Sequence, residues 1–90
     1  MNYTVTFTSQ FKKDYKLAKK QNKNINKLFD VIDVLASGKS LEVKYADHFL
    51  TGKLTGFREC HIEPDWLLLY NYRQSNLILY RLGSHSELFK

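Results

Sequence analysis

The sequence is poor in cysteine, proline and glycine, with one Cys, one Pro and four Gly in 90 residues. The lone Cys60 cannot form an internal disulfide, which excludes a disulfide-stapled secreted domain and favours a reducing compartment. No apolar run approaches the ~20 residues that a membrane span requires, and the opening MNYTVTFTSQ lacks the basic and apolar regions of a signal peptide. We therefore expect a cytoplasmic protein without membrane association.

The sequence has enough hydrophobic residues to form the core of one small folded domain. Hydrophobic residues make up 43% of the chain, and six Tyr, six Phe and one Trp give more apolar surface than disordered chains carry. A chain of this length has no room for a second domain. Residues 1–90 are therefore predicted to form a single domain.

The positive charge is unevenly placed. The formal net charge is +5, and residues 1–45 carry nine basic and four acidic side chains, whereas residues 46–90 carry five of each. A surplus of this kind predicts attraction to a polyanion, which is either a nucleic acid or an acidic protein.

The order of the predicted elements is β-α-α-β-β-β. An alternating strand over 3–7 ends where Thr8 and Ser9 can cap a helix, and a second helical stripe over 25–35 is stopped by Gly38. Residues 39–53 show no period and are expected to form a loop. Three β-like runs follow, over 55–62, 66–72 and 76–82, and the last residues form a helical turn. This order predicts an α+β domain with a largely antiparallel sheet packed on an N-terminal α-hairpin.

Two hairpins would bring distant polar residues together. If three residues connect each pair of strands, His61 lies opposite Leu67, Leu67 lies opposite Arg81, and Asp65 lies at the same edge. His85 follows just beyond the last strand. His61, Asp65 and Arg81 would therefore share one end of one sheet face.

The other face of that sheet would be apolar and pack on the helices. Its expected members are Cys60, Ile62, Trp66, Leu68, Tyr70, Ile78, Tyr80 and Leu82. In this register the polar face also carries four leucines, which are Leu67, Leu69, Leu77 and Leu79. Because leucines are usually buried, this face could be the core instead. A slip of one residue would exchange the two faces.

The available side chains suit cleavage of RNA without a metal or another cofactor. The sequence has no phosphate-binding glycine loop, CxxC pair, HExxH helix or GxSxG turn. His, Asp and Arg can supply a general base for a 2′-hydroxyl, a cation for the phosphate and a general acid for the leaving 5′-oxygen. Trp66 and Phe89 are candidates to stack on unpaired bases.

The second half of the chain resembles the YafQ branch of the RelE/ParE toxin superfamily. The resemblance is carried by DHFLTGKLTGFRECHIEPDWLLLY, which begins at Asp47, and by RLGSHSELF, which ends at Phe89. It implies a RelE-like microbial RNase fold with a four-stranded sheet and a ribosome-dependent mRNA endonuclease of a type II toxin-antitoxin pair. An antitoxin of the DinJ type is the implied partner, with the ribosome and its mRNA as the target.

The resemblance also implies a role for each polar residue. The acid-base set comprises His48, His61, Asp65 and His85, and the substrate contacts are Arg81, Trp66 and Phe89. Asp65 or His61 would be the base and His85 the acid, with His48 in support. Arg81 could instead form a structural ion pair with Asp65 or Glu59, and Trp66 could belong to the core.

A lysine-rich segment follows the first strand and is predicted to contact ribosomal RNA. Its members, called the lysine face below, are Lys12, Lys13, Lys16, Lys19, Lys20 and Lys23. An acidic antitoxin segment would suit the same surface, and a merely solvated helix face is the plain alternative.

Three rival functions stay open at this level. They are a ribosome-independent RNase, a ParE-like toxin that binds gyrase without nuclease activity, and a basic RNA-binding module. The combination of histidines with Asp65 favours a nuclease over the ParE-like toxin.

Overall fold

The computed structural model describes residues 2–89, and Met1 and Lys90 lie outside them. The strands in this range are β1 Thr4–Phe7, β2 His48–Phe49, β3 Arg58–Glu63, β4 Trp66–Arg73 and β5 Asn76–Gly83. The α-helices are α1 Ser9–Lys20, α2 Ile25–Ala36 and the short α3 His85–Leu88. The sheet order is β1-β5-β4-β3-β2, with β1 parallel to β5 and the other pairs antiparallel. The predicted α+β class is confirmed, and the predicted elements occur in the predicted order with one additional strand.

The predicted number of four strands is one too few within the described residues. The stretch 39–53, expected to be a loop, contains β2, in which His48 pairs with Glu59 and Phe49 with Arg58. Two residues are too short to show an alternating pattern, so no periodicity marked this strand. The pairing matters because it fixes His48 beside β3.

The helix boundaries follow the capping residues of the sequence. The Thr8 side chain accepts the Phe11 N–H at the start of α1, and Asn24 caps α2 in the same way. Helix α1 ends at Lys20, because Asn22 adopts a left-handed φ of 57°. Gly38, with φ 79°, stops the chain after α2 as predicted. Among residues 2–89, none of the helices combines the length and the apolar character that crossing a bilayer requires.

Helices α1 and α2 cover one face of the sheet and enclose the core. The buried core residues are Phe11, Ala18, Leu28, Val31, Leu35, Cys60, Ile62, Trp66, Leu68, Tyr70, Leu77, Leu79 and Leu82. The prediction was right for β3 and β4, but wrong for Ile78 and Tyr80, whose places in the core are taken by Leu77 and Leu79. Leu67 and Leu69 are also buried but do not belong to this cluster.

The register of the second hairpin explains this error. The turn between β4 and β5 has two residues, with Gln74 at a left-handed φ of 56°, and a bulge leaves Tyr80 without a partner in β4. Arg81 therefore pairs with Leu69, and Leu67 pairs with Gly83, so the predicted pair of Leu67 with Arg81 is wrong.

The first hairpin largely follows its predicted register. His61 pairs with Leu67 as expected, but a second irregularity skips Ile62 and pairs Glu63 with Trp66. The turn therefore consists of Pro64 and Asp65, which puts Asp65 at the end of the sheet.

Candidate active site

His85 is held by Asp65 at the open end of the sheet. The Nδ1–H of His85 donates to Asp65 Oδ1 at 2.7 Å, and the His85 backbone N–H donates to the same oxygen at 2.9 Å. Ser84 begins α3 with a capping box to Glu87, which sets the direction of the helix and therefore of His85. With Nδ1 occupied, the Nε2 atom of His85 is the one available for proton transfer.

Asp65 is a weak base at neutral pH. Its pKa lies below the ordinary value, first because of the bond from the His85 backbone N–H and then because of the bond from the imidazole, with a contribution from Lys23. The contact with His85 thus contributes to stability above the ordinary titration range of the carboxyl and is lost as the pH falls through its lowered pKa. The carboxylate orients His85 and stays ionised at pH 7.

We predict that His85→Ala returns the Asp65 pKa only part of the way to its ordinary value. The variant loses the imidazole contact but keeps the backbone N–H, which is the larger cause of the shift. Carboxyl carbon chemical shifts followed by NMR through acid titration measure this pKa in both proteins. A wild-type Asp65 that titrates at about 3.9, the reference value, would contradict the described contacts.

His61 is held by a second carboxylate, Glu59. The His61 Nε2–H donates to Glu59 Oε1 at 2.9 Å, and His48 Nε2 lies 3.9 Å from the same oxygen. The Glu59 side chain is only 7% exposed, so its charge faces the two imidazoles in a poorly solvated position. Such a carboxylate stabilises a positively charged imidazole ring beside it.

The two held histidines lie edge to face. The ring centroids of His61 and His85 are 5.6 Å apart with an interplanar angle of 79°, and those of His48 and His61 are 6.4 Å apart. The structure thus brings together the four predicted acid-base residues around Glu59, which sequence reasoning had considered only as a partner for Arg81. The available signal was its spacing from His61, because residues two apart in a strand share a face.

The loop that carries His48 is anchored to the sheet. Asp47 Oδ1 accepts bonds from the Tyr70 hydroxyl at 2.6 Å and from Arg58 Nε at 3.1 Å. Burial, followed by the bond to Asp47, raises the pKa of Tyr70, which keeps its hydroxyl a donor. His48 Nδ1 in turn donates to the Ala46 carbonyl at 2.6 Å, so Nε2 points toward Glu59.

The three predicted substrate contacts have different surroundings. The Phe89 ring is 41% exposed and lies 6.4 Å from the His85 ring, within reach of a base bound there. Trp66 is 1% exposed in the core, which leaves it no free face for stacking and makes it a support for the Asp65 turn. Arg81 is bound by Asp14 of α1, a partner that the sequence did not predict, in place of Asp65 or Glu59.

The lysine face lies on and just after α1. Five of its members are exposed and Lys23 is partly buried. Lys12 lies over the Phe7 ring and Lys19 over the Tyr15 ring, at 5.5 and 5.3 Å from the centroids. Because Lys12 and Lys19 are two turns apart they share one side of the helix, while Lys13 and Lys20 point more directly to solvent.

Three residues of the cluster have ligand atoms close enough to hold a metal ion. Single ligand atoms of Glu59, His61 and His85 all lie within 4.8 Å of one another. A carboxylate and two imidazoles are a donor set that suits zinc or copper. A bound ion would take the imidazole lone pairs that proton transfer needs.

Comparisons with known proteins identify the family to which this chain is related. The family profile described as "Bacterial toxin of type II toxin-antitoxin system, YafQ" matches residues 3–90. The mRNA interferase toxin YafQ of Escherichia coli strain K12 is 38% identical over 86 residues, covering 94% of both chains.

Solved structures of related toxins share this fold over nearly the whole chain. The E. coli DinJ-YafQ toxin-antitoxin complex matches with a TM-score of 0.92 at 36% identity and covers 100% of both chains. A metal-bound toxin from Helicobacter pylori matches with a TM-score of 0.91 at 44% identity and covers 99% of this chain and 100% of that one. The protein is an endoribonuclease toxin of the mRNA interferase class. Within that class, the chain belongs to the YafQ family of type II toxin-antitoxin systems.

Proposed function

We propose that this toxin cleaves mRNA on the ribosome, in the cytoplasm, by metal-independent attack of a 2′-hydroxyl on the adjacent phosphate. The observation that carries the proposal is the pair of imidazoles, each held by its own carboxylate, with ring centroids 5.6 Å apart. Acid-base cleavage needs two proton-transferring groups on either side of a phosphate, and imidazole is the side chain most often used for proton transfer.

His61 is the proposed general base. Glu59 accepts the bond from Nε2, which leaves Nδ1 to take the proton of the 2′-hydroxyl. The imidazole becomes positively charged in that step, and the nearly buried Glu59 carboxylate stabilises that charge. Asp65 is less suited to this role because its pKa is lowered.

His85 is the proposed general acid. Its protonated Nε2 gives a proton to the leaving 5′-oxygen while Asp65 holds Nδ1. The 2′-oxygen bonds to phosphorus as the bond to the 5′-oxygen breaks, which yields a 2′,3′-cyclic phosphate and a 5′-hydroxyl. His48 adds a third imidazole near Glu59, and Phe89 offers an exposed ring for a base.

The exposure of the cluster supports dependence on the ribosome. The His85 side chain is 54% exposed and the Asp65 side chain is 67% exposed. The toxin alone therefore encloses little of an RNA strand bound at these residues. A free RNA strand would be poorly oriented there, and orientation accounts for a large share of such catalysis. The ribosome would hold the message in place, while the lysine face holds the toxin against ribosomal RNA.

The test compares one message in two states. Single-turnover cleavage is measured on a stalled ribosome complex and on naked RNA, with magnesium constant and a chelator selective for transition metals present. The proposal expects rapid cleavage on the ribosome and little on naked RNA. Equal rates would establish a ribosome-independent RNase, and loss of activity with the chelator would contradict the metal-independent mechanism.

We also propose where a DinJ-like antitoxin binds. An apolar groove of about 480 Å³ lies between β1 and the helices, and its lining includes Phe7 at 50% and Phe29 at 46% exposure. β1 is an edge strand of the sheet, so its outer side is open to another strand. Lys12 lies in the groove wall and Lys19 beside Tyr15.

An acidic amphipathic antitoxin segment fits this groove better than RNA does. Its apolar side chains would fill the groove while its carboxylates meet the lysine side chains. Ribosomal RNA has phosphates for the lysines but no aliphatic groups for the groove. The groove and the histidine cluster lie on different parts of the molecule, so the two sites can be changed separately.

We predict that Phe29→Asp weakens antitoxin binding by at least about 30-fold, the loss typical of an interface hot spot, and leaves cleavage unchanged. Leu17→Asp is the matched control, since Leu17 is 44% exposed on α1 and does not line the groove. Titration calorimetry with the purified antitoxin measures both variants. Equal affinities for the two would place the antitoxin elsewhere.

A further inference from the structure

Asp14 is a nearly buried carboxylate within the lysine-rich helix α1. It is 8% exposed and accepts four hydrogen bonds. Oδ2 accepts from Arg81 Nε at 2.8 Å and from the Leu82 backbone N–H at 3.0 Å. Oδ1 accepts from Arg81 Nη2 at 3.3 Å and from Gln10 Nε2 at 3.1 Å. Asp14 therefore binds the guanidinium side-on, through Nε and Nη2, and makes no hydrogen bond to Nη1.

One of these four hydrogen bonds satisfies a backbone group at the edge of the sheet. β1 pairs with β5 only as far as Leu79, so the remainder of β5 needs other partners on that side. The Thr8 hydroxyl donates to the Tyr80 carbonyl at 2.8 Å, and Asp14 accepts the Leu82 N–H. A neutral amide oxygen at position 14 would serve the backbone equally well. The need to satisfy the backbone of β5 therefore does not explain why Asp14 also accepts two hydrogen bonds from Arg81.

Arg81 belongs to the sheet face that carries the histidines. Arg81 pairs with Leu69, and Leu69 pairs with Glu59, so the three residues form one cross-strand row with side chains leaving the same face. The neighbouring row runs from Gly83 through Leu67 to His61. Without the contact to Asp14, the Arg81 side chain, which is 26% exposed, would sample more rotamers.

We propose that Asp14 is a positioning residue for RNA cleavage, holding Arg81 side-on so that its free N–H groups are directed at the phosphate. This inference rests on the proposed function and on the role expected for Arg81 from the sequence, which is to bind the phosphate. The carboxylate touches neither the RNA nor the reacting atoms and acts through the guanidinium alone. The bond to Asp14 also raises the pKa of Arg81, which keeps the side chain charged.

The test is a double-mutant cycle of Asp14→Asn and Arg81→Ala, measured by single-turnover cleavage on saturating ribosome complexes. Asn keeps an acceptor for Leu82 but turns N–H groups toward Arg81. We expect Asp14→Asn alone to lower the rate by about 10- to 100-fold with ribosome affinity unchanged, and to have no further effect in the Arg81→Ala background. Asp33→Asn is the control, because this exposed carboxylate on α2 carries the same charge change.

Several outcomes would overturn the inference. A wild-type rate for Asp14→Asn would do so, as would an equal loss in both backgrounds, which indicates a structural role only. If Asp14→Asn does not fold, Arg81→Lys replaces it: lysine keeps the charge but cannot be held side-on, and a wild-type rate for it would reject the proposal. Loss of activity in Arg81→Ala but not in Asp14→Asn leaves the proposed function intact and rejects this inference alone. An unaltered rate in Arg81→Ala rejects the phosphate role and this inference with it.

Discussion

His85→Ala is expected to lower the single-turnover rate of mRNA cleavage by about 10²- to 10⁴-fold, the usual contribution of a general acid. The imidazole is 54% exposed, so its removal opens no cavity in the core. The backbone bond to Asp65 and the capping box of α3 stay in place. Growth arrest on induction should disappear, while antitoxin affinity and the melting temperature stay close to wild type.

Ser86→Ala serves as the control for this variant. Ser86 is the next residue of α3 and is exposed, and it has no part in the proposed chemistry. Wild-type growth arrest from His85→Ala would remove His85 from the mechanism. An equal loss in both variants would mean that the helix itself, and not the imidazole, had been disturbed.

Ribosome affinity is expected to fall by about 10³-fold between 50 and 200 mM salt. Six lysines in the lysine face, each neutralising about one phosphate, give a steep dependence because each contact releases counterions from the RNA. Binding of a cleavage-deficient variant to stalled ribosomes, with magnesium held constant, measures the slope. A flat response would contradict an electrostatic contact with ribosomal RNA.

A paired comparison locates this contact on α1. Lys13→Ala with Lys20→Ala should reduce both the affinity and the salt slope, because these side chains point to solvent away from the apolar groove. Lys39→Ala with Arg73→Ala removes the same charge from exposed positions outside the lysine face and should change the slope little. Equal slopes for the two double variants would mean that net charge, and not this helix, attracts the toxin.

Local signals in the sequence were enough for most of the fold. Thr8 and Gly38 mark helix ends because a hydroxyl cap and a left-handed glycine act on their own neighbours. The pair of His61 with Leu67 was predicted from a three-residue connection, and it is present because the irregularity at Ile62 compensates for the shorter turn of Pro64 and Asp65.

The errors arise where a local choice depends on distant contacts. Gln74 takes a left-handed φ that non-glycine residues seldom adopt, and the bulge at Tyr80 shifts the row on which Arg81 stands. Neither feature has a composition signal. Asp14 and Arg81 are 67 positions apart, so their pairing became visible only when α1 was placed against the open end of β5.

The central claim is that two carboxylate-held imidazoles move protons during attack of a 2′-hydroxyl. The most direct measurement is single-turnover cleavage of a ribosome-bound message that carries one 2′-deoxy nucleotide at the cut site, compared with the all-ribose message. The account predicts a 2′,3′-cyclic phosphate end on the ribose message and no cleavage at the deoxy position. Cleavage of the deoxy message at an equal rate would contradict it.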